Sequence, residues 1–325
     1  MTSKYISGLV TAAHGRHYFV ELPDGETIKC FPRGKKAGIA VGDQVDVLMQ
    51  AKGEGSIEAV QERRNLLYRS DDFRTKQFAA NIDQLLIVVA PEPVYSEDLL
   101  GRALVAAWSV DIEPVIILNK ADLGTHLERA RAKLAPIAAL GVPILEMVAL
   151  EPEQTRQALA PWLANKRTLL LGQSGMGKST LLNALVPDAG ALTQEYSQAL
   201  GAGRHTTTST RLYHLPNSGD LIDSPGFQAF GLSHMTQEDI AHGFPDFRKA
   251  VESCRFYNCT HRHEPGCGVL AAIEAGSIHP ERHALYQRLL AEHAFANRRL
   301  FDEETIERWI GEVKPMVDAG AAIER

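Results

Sequence analysis

The sequence predicts a multidomain protein in three parts: a small all-β barrel, an α/β domain with a mostly parallel sheet, and a mainly helical C-terminal region built around a metal cluster. Three observations carry this. Five short apolar runs fill residues 5–61 between turn signals, apolar strands alternate with amphipathic helices from residue 82, and three of the four Cys crowd beside two His in residues 254–267. At 325 residues, 45% hydrophobic and 23% charged, the chain has the length and composition for two or three packed domains.

The barrel is read from ISGLV, HYFVEL, ETIKCF, QVDVLM and SIEAV, with PDG and GEG as turns. VGDQVDV resembles an interior strand of OB-folds, which commonly bind nucleic acid, and residues 1–65 are assigned to such a barrel. Cys30 stands apart from the other Cys and reads as a small buried strand residue. Residues 1–69 carry 10 Lys+Arg against 8 Asp+Glu in a chain of net charge −6, which leaves room for a local basic face but opposes a general nucleic-acid coat protein.

Residues 66–80 lose the alternation, become charged and read as a linker. DQLLIVVA, SEDLLGRALVAAWSV, EPVIIL, a helix near 125–140, VPILEMV, another helix and RTLLLG then alternate strand with helix. Residues 81–232 are assigned to this α/β domain, with sites at the carboxyl ends of its strands. Residues 233–325 make the C-terminal part, where ERHALYQRLLAEHAFANRRL and EETIERWIGEV read as helices. The amino terminus has no basic stretch ahead of an apolar core and no run reaches membrane-spanning length, so a cytoplasmic protein without a membrane partner is expected.

GQSGMGKST, residues 172–180, follows the apolar run TLLL and fits G-x-x-x-x-G-K-[ST] without a gap. The loop from Gly172 through Gln173, Ser174, Gly175, Met176 and Gly177 turns successive N–H groups onto phosphate oxygens. Lys178 supplies charge toward the β and γ phosphates and Ser179 a hydroxyl for Mg2+, and Thr180 leads into a helix whose positive end faces the anion. This loop serves ATP and GTP alike. The choice falls to VIILNKAD, an apolar strand ending in Asn119, Lys120, Ala121 and Asp122. Asp122 accepts two hydrogen bonds from the N1–H and amino group of guanine, whereas adenine would leave the carboxylate unpaired. Asn119 braces the loop and contacts the base, and the stem of Lys120 covers its face.

Downstream, LIDSPGF offers Asp223 to the Mg2+ shell and the Gly226 N–H to the γ phosphate, while GAGRHTTTST reads as a switch segment. One of Thr206, Thr207 and Thr208, with Thr207 as the candidate, would place a hydroxyl on Mg2+. CRFYNCTHRHEPGC offers Cys254, Cys259 and Cys267 with His261 or His263, a closed tetrahedral set that suits structural zinc.

Asn119 lies upstream of Gly172, whereas in ordinary small GTPases the guanine-reading motif follows the phosphate loop. With NKAD, GQSGMGKST, GRHTTT, DSPGF and the Cys/His cluster in this order behind an OB-like front, the chain resembles the circularly permuted GTPases of the RsgA (YjeQ) type, bacterial ribosome small-subunit assembly factors, over nearly its full length. The resemblance implies an N-terminal OB-fold β-barrel, a central α/β P-loop GTPase domain in circularly permuted order and a C-terminal mainly helical zinc-binding domain. It implies hydrolysis of GTP to GDP with Mg2+, binding of the small (30S) ribosomal subunit and its rRNA late in maturation, and stimulation by that subunit. It also favours His261 over His263 as the fourth ligand of one structural Zn2+. A monomer is expected.

Two positions depart from common GTPase patterns. The family usually has a Ser-Ala pair behind the guanine O6; Val148 and Ala149 stand here, so the Ala149 N–H is the expected base contact without the hydroxyl. Many GTPases carry a water-positioning Gln after DSPG; Phe227 stands here and cannot orient water. His205 is the expected catalytic residue, because an imidazole can orient water and the resemblance points to the same position, with Arg204 beside it for phosphate or RNA. Two other readings are an RNA-binding GTP switch with incidental hydrolysis and an ATP-using kinase or transferase, the latter opposed by NKAD.

Overall fold

The structure, a computed structural model, describes residues 5–14, 17–34, 38–50, 53–70, 75–189, 209–216, 218–225, 227 and 230–298. His205, Arg204, Thr206 to Thr208, Gly226 and the expected helix EETIERWIGEV lie outside these.

The five expected N-terminal strands are β1 (Ile6–His14), β2 (His17–Glu21), β3 (Thr27–Pro32), β4 (Gln44–Met49) and β5 (Glu54–Val60). They pair in the order β1-β2-β3-β5-β4, and β4 returns to β1, which closes a barrel. Only β3–β5 is parallel among these pairs. Alternation turns Val10, Val20, Ile28, Val45, Val47 and Ile57 inward. Gly55 is needed where the wall is tightest, since a Cβ there would lie 2.7 Å from Val47 Cγ1 and 2.9 Å from Cys30 Sγ. Cys30 is fully buried as expected, and that burial pushes its thiol up to about 12, so it is an inert core residue.

The α/β sheet contains β8 (Gln84–Val89), β9 (Glu113–Asn119), β10 (Ile144–Met147), β11 (Arg167–Gly172), β12 (Thr210–His214) and β13 (Asp220–Asp223). Its order is β10-β9-β8-β11-β13-β12, all parallel except β12. Every residue of β8 is buried, as a strand covered on both faces requires. Helices α2 (Thr125–Ala138), α3 (Pro152–Leu163) and α4 (Lys178–Leu185) belong to the same body. Strand β12 also pairs antiparallel with β1 through Ala12↔Arg211 and Ala13↔Thr210, so barrel and α/β sheet form one 11-stranded sheet.

Residues 66–80, expected as a linker, instead carry β6 (Leu66–Ser70) and β7 (Thr75–Ala80), paired in a two-stranded sheet. Their charges mask an apolar anchor, Leu67 and Phe78, both buried.

Two compact units result: residues 1–68, 77–95 and 112–229, and residues 69–76, 96–111 and 230 onward. Helix α1 (Glu97–Trp108), assigned by sequence to the α/β domain, packs within the second unit. Ser96 Oγ caps it by accepting from the Leu99 N–H at 3.1 Å, with Glu97 and Asp98 favouring the positive helix end. The second unit adds α5 (Gln237–His242), a 3-10 turn Pro245–Phe247, α6 (Arg248–Val251), α7 (Gly268–Glu274) and α8 (Pro280–Arg298). Arg102 holds Glu292 in a bidentate pair at 2.6 and 2.8 Å, and Gly101 leaves room for Leu285, where a Cβ would come within 2.7 Å. Phe244, Phe247 and Tyr286 form its aromatic centre. No described helix is long and apolar enough to cross a membrane.

Candidate nucleotide site and metal cluster

The phosphate loop leaves the end of β11, between β8 and β13, and runs into α4. Gly175 (φ +81°) and Gly177 (φ +91°) adopt left-handed conformations that a side chain would strain. Gly177 caps α4 without any side-chain bond to the helix, so the first N–H groups of α4 remain available to an anion. Gly172, Gln173, Ser174, Gly175, Gly177, Lys178, Ser179 and Thr180 line a cavity of about 740 Å3 with Lys120, Tyr213, Asp223 and Phe227. Met176 instead turns its side chain into the core, 2% exposed. Lys178 Nζ pairs with Asp223 Oδ1, so each charge that the sequence assigned to phosphate or Mg2+ is balanced by the other.

A second cavity of about 280 Å3 shares Lys120, Gly177 and Thr180 with the first and adds Asn119, Asp122, Val148 and Ala149. Asn119 is 3% exposed; its Nδ2 donates to Met176 O at 2.9 Å and its Oδ1 accepts from the Ala149 N–H at 2.9 Å. Lys120 (φ +59°) donates from Nζ to Glu92 O at 2.7 Å and Gly175 O at 2.8 Å. Ala121 donates to Met147 O at 3.1 Å. Asn119, Lys120 and Ala121 therefore lock three loops together, whereas the exposed Asp122 carboxylate has no hydrogen-bond partner among the described residues. The Ala149 N–H, expected on the base, is directed at Asn119 here. Glu92 and Pro93, which buttress Lys120 and Gly175, carried no motif that sequence reasoning could have found.

Ser224, directly after Asp223, is fully buried and its Oγ lies 2.9 Å from Thr210 Oγ1. This bond ties the end of β13 to the start of β12. Phe227 is 4% exposed.

In the second unit, one ligand atom each from Cys254, Cys259, His261 and Cys267 lies within 4.8 Å of every other, a set that could hold a metal ion. His261 presents Nδ1 to the sulfurs, at 3.6 Å from Cys254 Sγ and 3.5 Å from Cys267 Sγ. His263 is exposed and outside the set. The Gly268 and Leu270 N–H groups, at the start of α7, point at Cys254 Sγ (3.3 Å) and Cys267 Sγ (3.5 Å), which suits thiolates. His283 Nε2 meets His261 O at 2.6 Å and fixes the backbone that carries the imidazole.

A phosphate loop at the carboxyl end of a central parallel strand, with an N-K-x-D turn locked beside it, defines a P-loop protein of the GTPase class. The family model described as RsgA GTPase matches residues 60–233. The chain is 64% identical to a protein of Bordetella pertussis named small ribosomal subunit biogenesis GTPase RsgA, over 91% of this chain and 99% of that one. Two solved structures share the fold: YjeQ from Thermotoga maritima (TM-score 0.69, 31% identity, 89% of this chain and 99% of that one) and YloQ, described as a circularly permuted GTPase (TM-score 0.65, 28% identity, 89% and 95%). The chain belongs to the RsgA GTPase family.

Proposed function

We propose that this GTPase binds the small (30S) ribosomal subunit, acts late in its maturation, and hydrolyses GTP to GDP and phosphate when the subunit stimulates it. The observation that carries the nucleotide choice is Asp122, exposed on a cavity wall without a described partner while its three neighbours are tied down. A carboxylate so placed recognises guanine by two donors and rejects adenine. The name borne by the Bordetella pertussis relative supports the ribosomal partner.

On this reading the loop 172–180 holds the phosphates, Lys178 exchanges Asp223 for phosphate oxygens, and Ser179, Asp223 and one of Thr206 to Thr208, with Thr207 the candidate, would hold Mg2+, which neutralises phosphate charge. Gly226 would meet the γ phosphate, and Ala149 would turn its N–H toward the base. Phe227 orients no water, so His205 is proposed to do so when the subunit is bound. Cys254, Cys259, His261 and Cys267 would hold one structural Zn2+, which cross-links a segment with little core of its own. The barrel and the rRNA would meet as part of the same docking, by a monomer in the cytoplasm. Turnover of GTP with purified small subunits, with large subunits and ATP as controls, tests the proposal. Strong GTP-selective stimulation by small subunits is expected. GTP binding without stimulation would leave a nucleotide switch with incidental hydrolysis, a reading that Phe227 favours.

A further inference from the structure

Between the first two Cys of the metal set, Arg255, Phe256, Tyr257 and Asn258 are all exposed. Tyr257 is 104% exposed and Phe256 41%, an unusual amount of aromatic surface to leave in water. The loop beneath them is held firmly. The Arg255 N–H donates to Gly266 O at 2.9 Å, and Glu264 accepts from the N–H groups of Thr260, Arg262 and His263 at 2.8, 2.9 and 3.2 Å. Glu264 thus spends its carboxylate on its own loop. The Arg255 stem lies against Gly266, where a Cβ would come within 3.1 Å of its Cβ, and its guanidinium stands over the Phe256 ring at 5.4 Å.

The charge along this segment is one-sided. Arg248, Lys249, Arg255 and Arg262 are exposed on residues 248–263 against the single acid Glu252, in a chain of net charge −6. Exposed rings with a guanidinium over one of them, on a segment rich in exposed cations, match the chemistry of an unpaired RNA base with its phosphates: aromatic and guanidinium planes stack on any base, and cations track the backbone. A duplex hides its base faces and presents phosphates, 2′-hydroxyls and groove edges, none of which stacks on a ring. From these observations we infer that Phe256 and Tyr257, with Arg255, form a stacking platform for unpaired bases of RNA. This deepens the ribosomal reading above and rests on it for the identity of the RNA.

Fluorescence anisotropy of the full-length protein with a labelled oligouridine, and with an RNA duplex of equal length, tests it. Phe256→Ala/Tyr257→Ala weakens single-strand binding by at least about fivefold, leaves duplex binding unchanged, and keeps the dependence on salt. Tyr257→Trp, which keeps a stacking face, restores binding in comparison with Tyr257→Ala. Arg255→Gln instead lowers the salt slope by about 0.7. Unchanged oligouridine binding in the double variant, or an equal loss with the duplex, overturns the platform. So does a double variant that loses small-subunit affinity alone, which would assign this surface to a ribosomal protein. Wild-type protein that binds oligouridine through the platform yet shows no small-subunit stimulation would sink the ribosomal reading and keep the platform.

Discussion

Asn119 Nδ2 donates to Met176 O at 2.9 Å, which ties the end of β9 to the phosphate loop 57 residues further along the chain. Its other side-chain atom holds Ala149, so one buried amide joins the three loops that would surround a base. Asn119→Ala would strand a buried carbonyl and a buried N–H and should cost about 1–3 kcal/mol of stability. Gly177→Ala should damage the same joint from the other side, because its Cβ would sit 2.1 Å from Asn119 Nδ2 at a φ of +91°. Denaturant unfolding and GDP titration of both variants check this: both should be destabilised and bind GDP more weakly.

Asp122 is the complement of that lock. Since its carboxylate has no described partner, Asp122→Asn should leave the fold intact and weaken GTP and GDP by roughly 10- to 100-fold, the loss of a charge-assisted bond. Calorimetric titration measures it, and unchanged guanine-nucleotide affinity would refute the base-recognition assignment.

Lys178 and Asp223 pair with side chains only 17% and 9% exposed. Asp223→Ala leaves an ammonium without its counter-charge, so the nucleotide-free protein should melt at a lower temperature. GDP should return part of the loss, because phosphate takes the place of the carboxylate. Thermal melting with and without GDP distinguishes this from a general packing defect, which GDP would not selectively offset.

His214, at the end of β12, bridges Asp220 at 2.8 Å and Glu21 of the barrel at 2.9 Å. The hydrogen bond to Asp220 raises its pKa to about 9 against partial burial, helped by Glu21. The folded value lies above the unfolded 6.5, so the contribution is whole below about pH 6.5 and fades as pH rises through about 9. Thermal midpoints of wild type and His214→Gln should differ at pH 6 and converge near pH 10. The exposed position keeps the difference small.

Cys254, Cys259, His261 and Cys267 could hold a metal ion, and on the zinc assignment a chelator should raise hydrogen exchange across residues 254–267 and at the start of α7, which the Cys267 sulfur caps. The nucleotide loops should keep their protection. Elemental analysis of protein purified without chelator should find about one zinc per chain, and none would remove the zinc assignment.

Much of this was legible before any coordinates. All five barrel strands came from period-two alternation, and GQSGMGKST and NKAD from spacing alone, because a left-handed glycine or a strand-end turn is a local demand of the backbone. The segment 66–80 was not legible, since its charges hid two apolar anchors, Leu67 and Phe78. Helix α1 was read as a helix but given to the wrong body: periodicity shows an apolar face without saying which partner covers it. Arg102, which reaches Glu292 190 residues away, carries no local signal of that pairing.

Local pattern thus decided most of the elements, the order of the nucleotide motifs and the residue types of the Cys/His cluster. Tertiary structure decided that β1 meets β12 and makes one sheet of barrel and α/β domain, that Lys178 rests on Asp223, and that Asn119 takes the Ala149 N–H. The reason is range. Propensity, turn geometry and amphipathic period act over a few residues and are written in the chain, whereas a free strand edge, a buried charge or a lone amide accepts any partner of suitable chemistry, and only packing selects one.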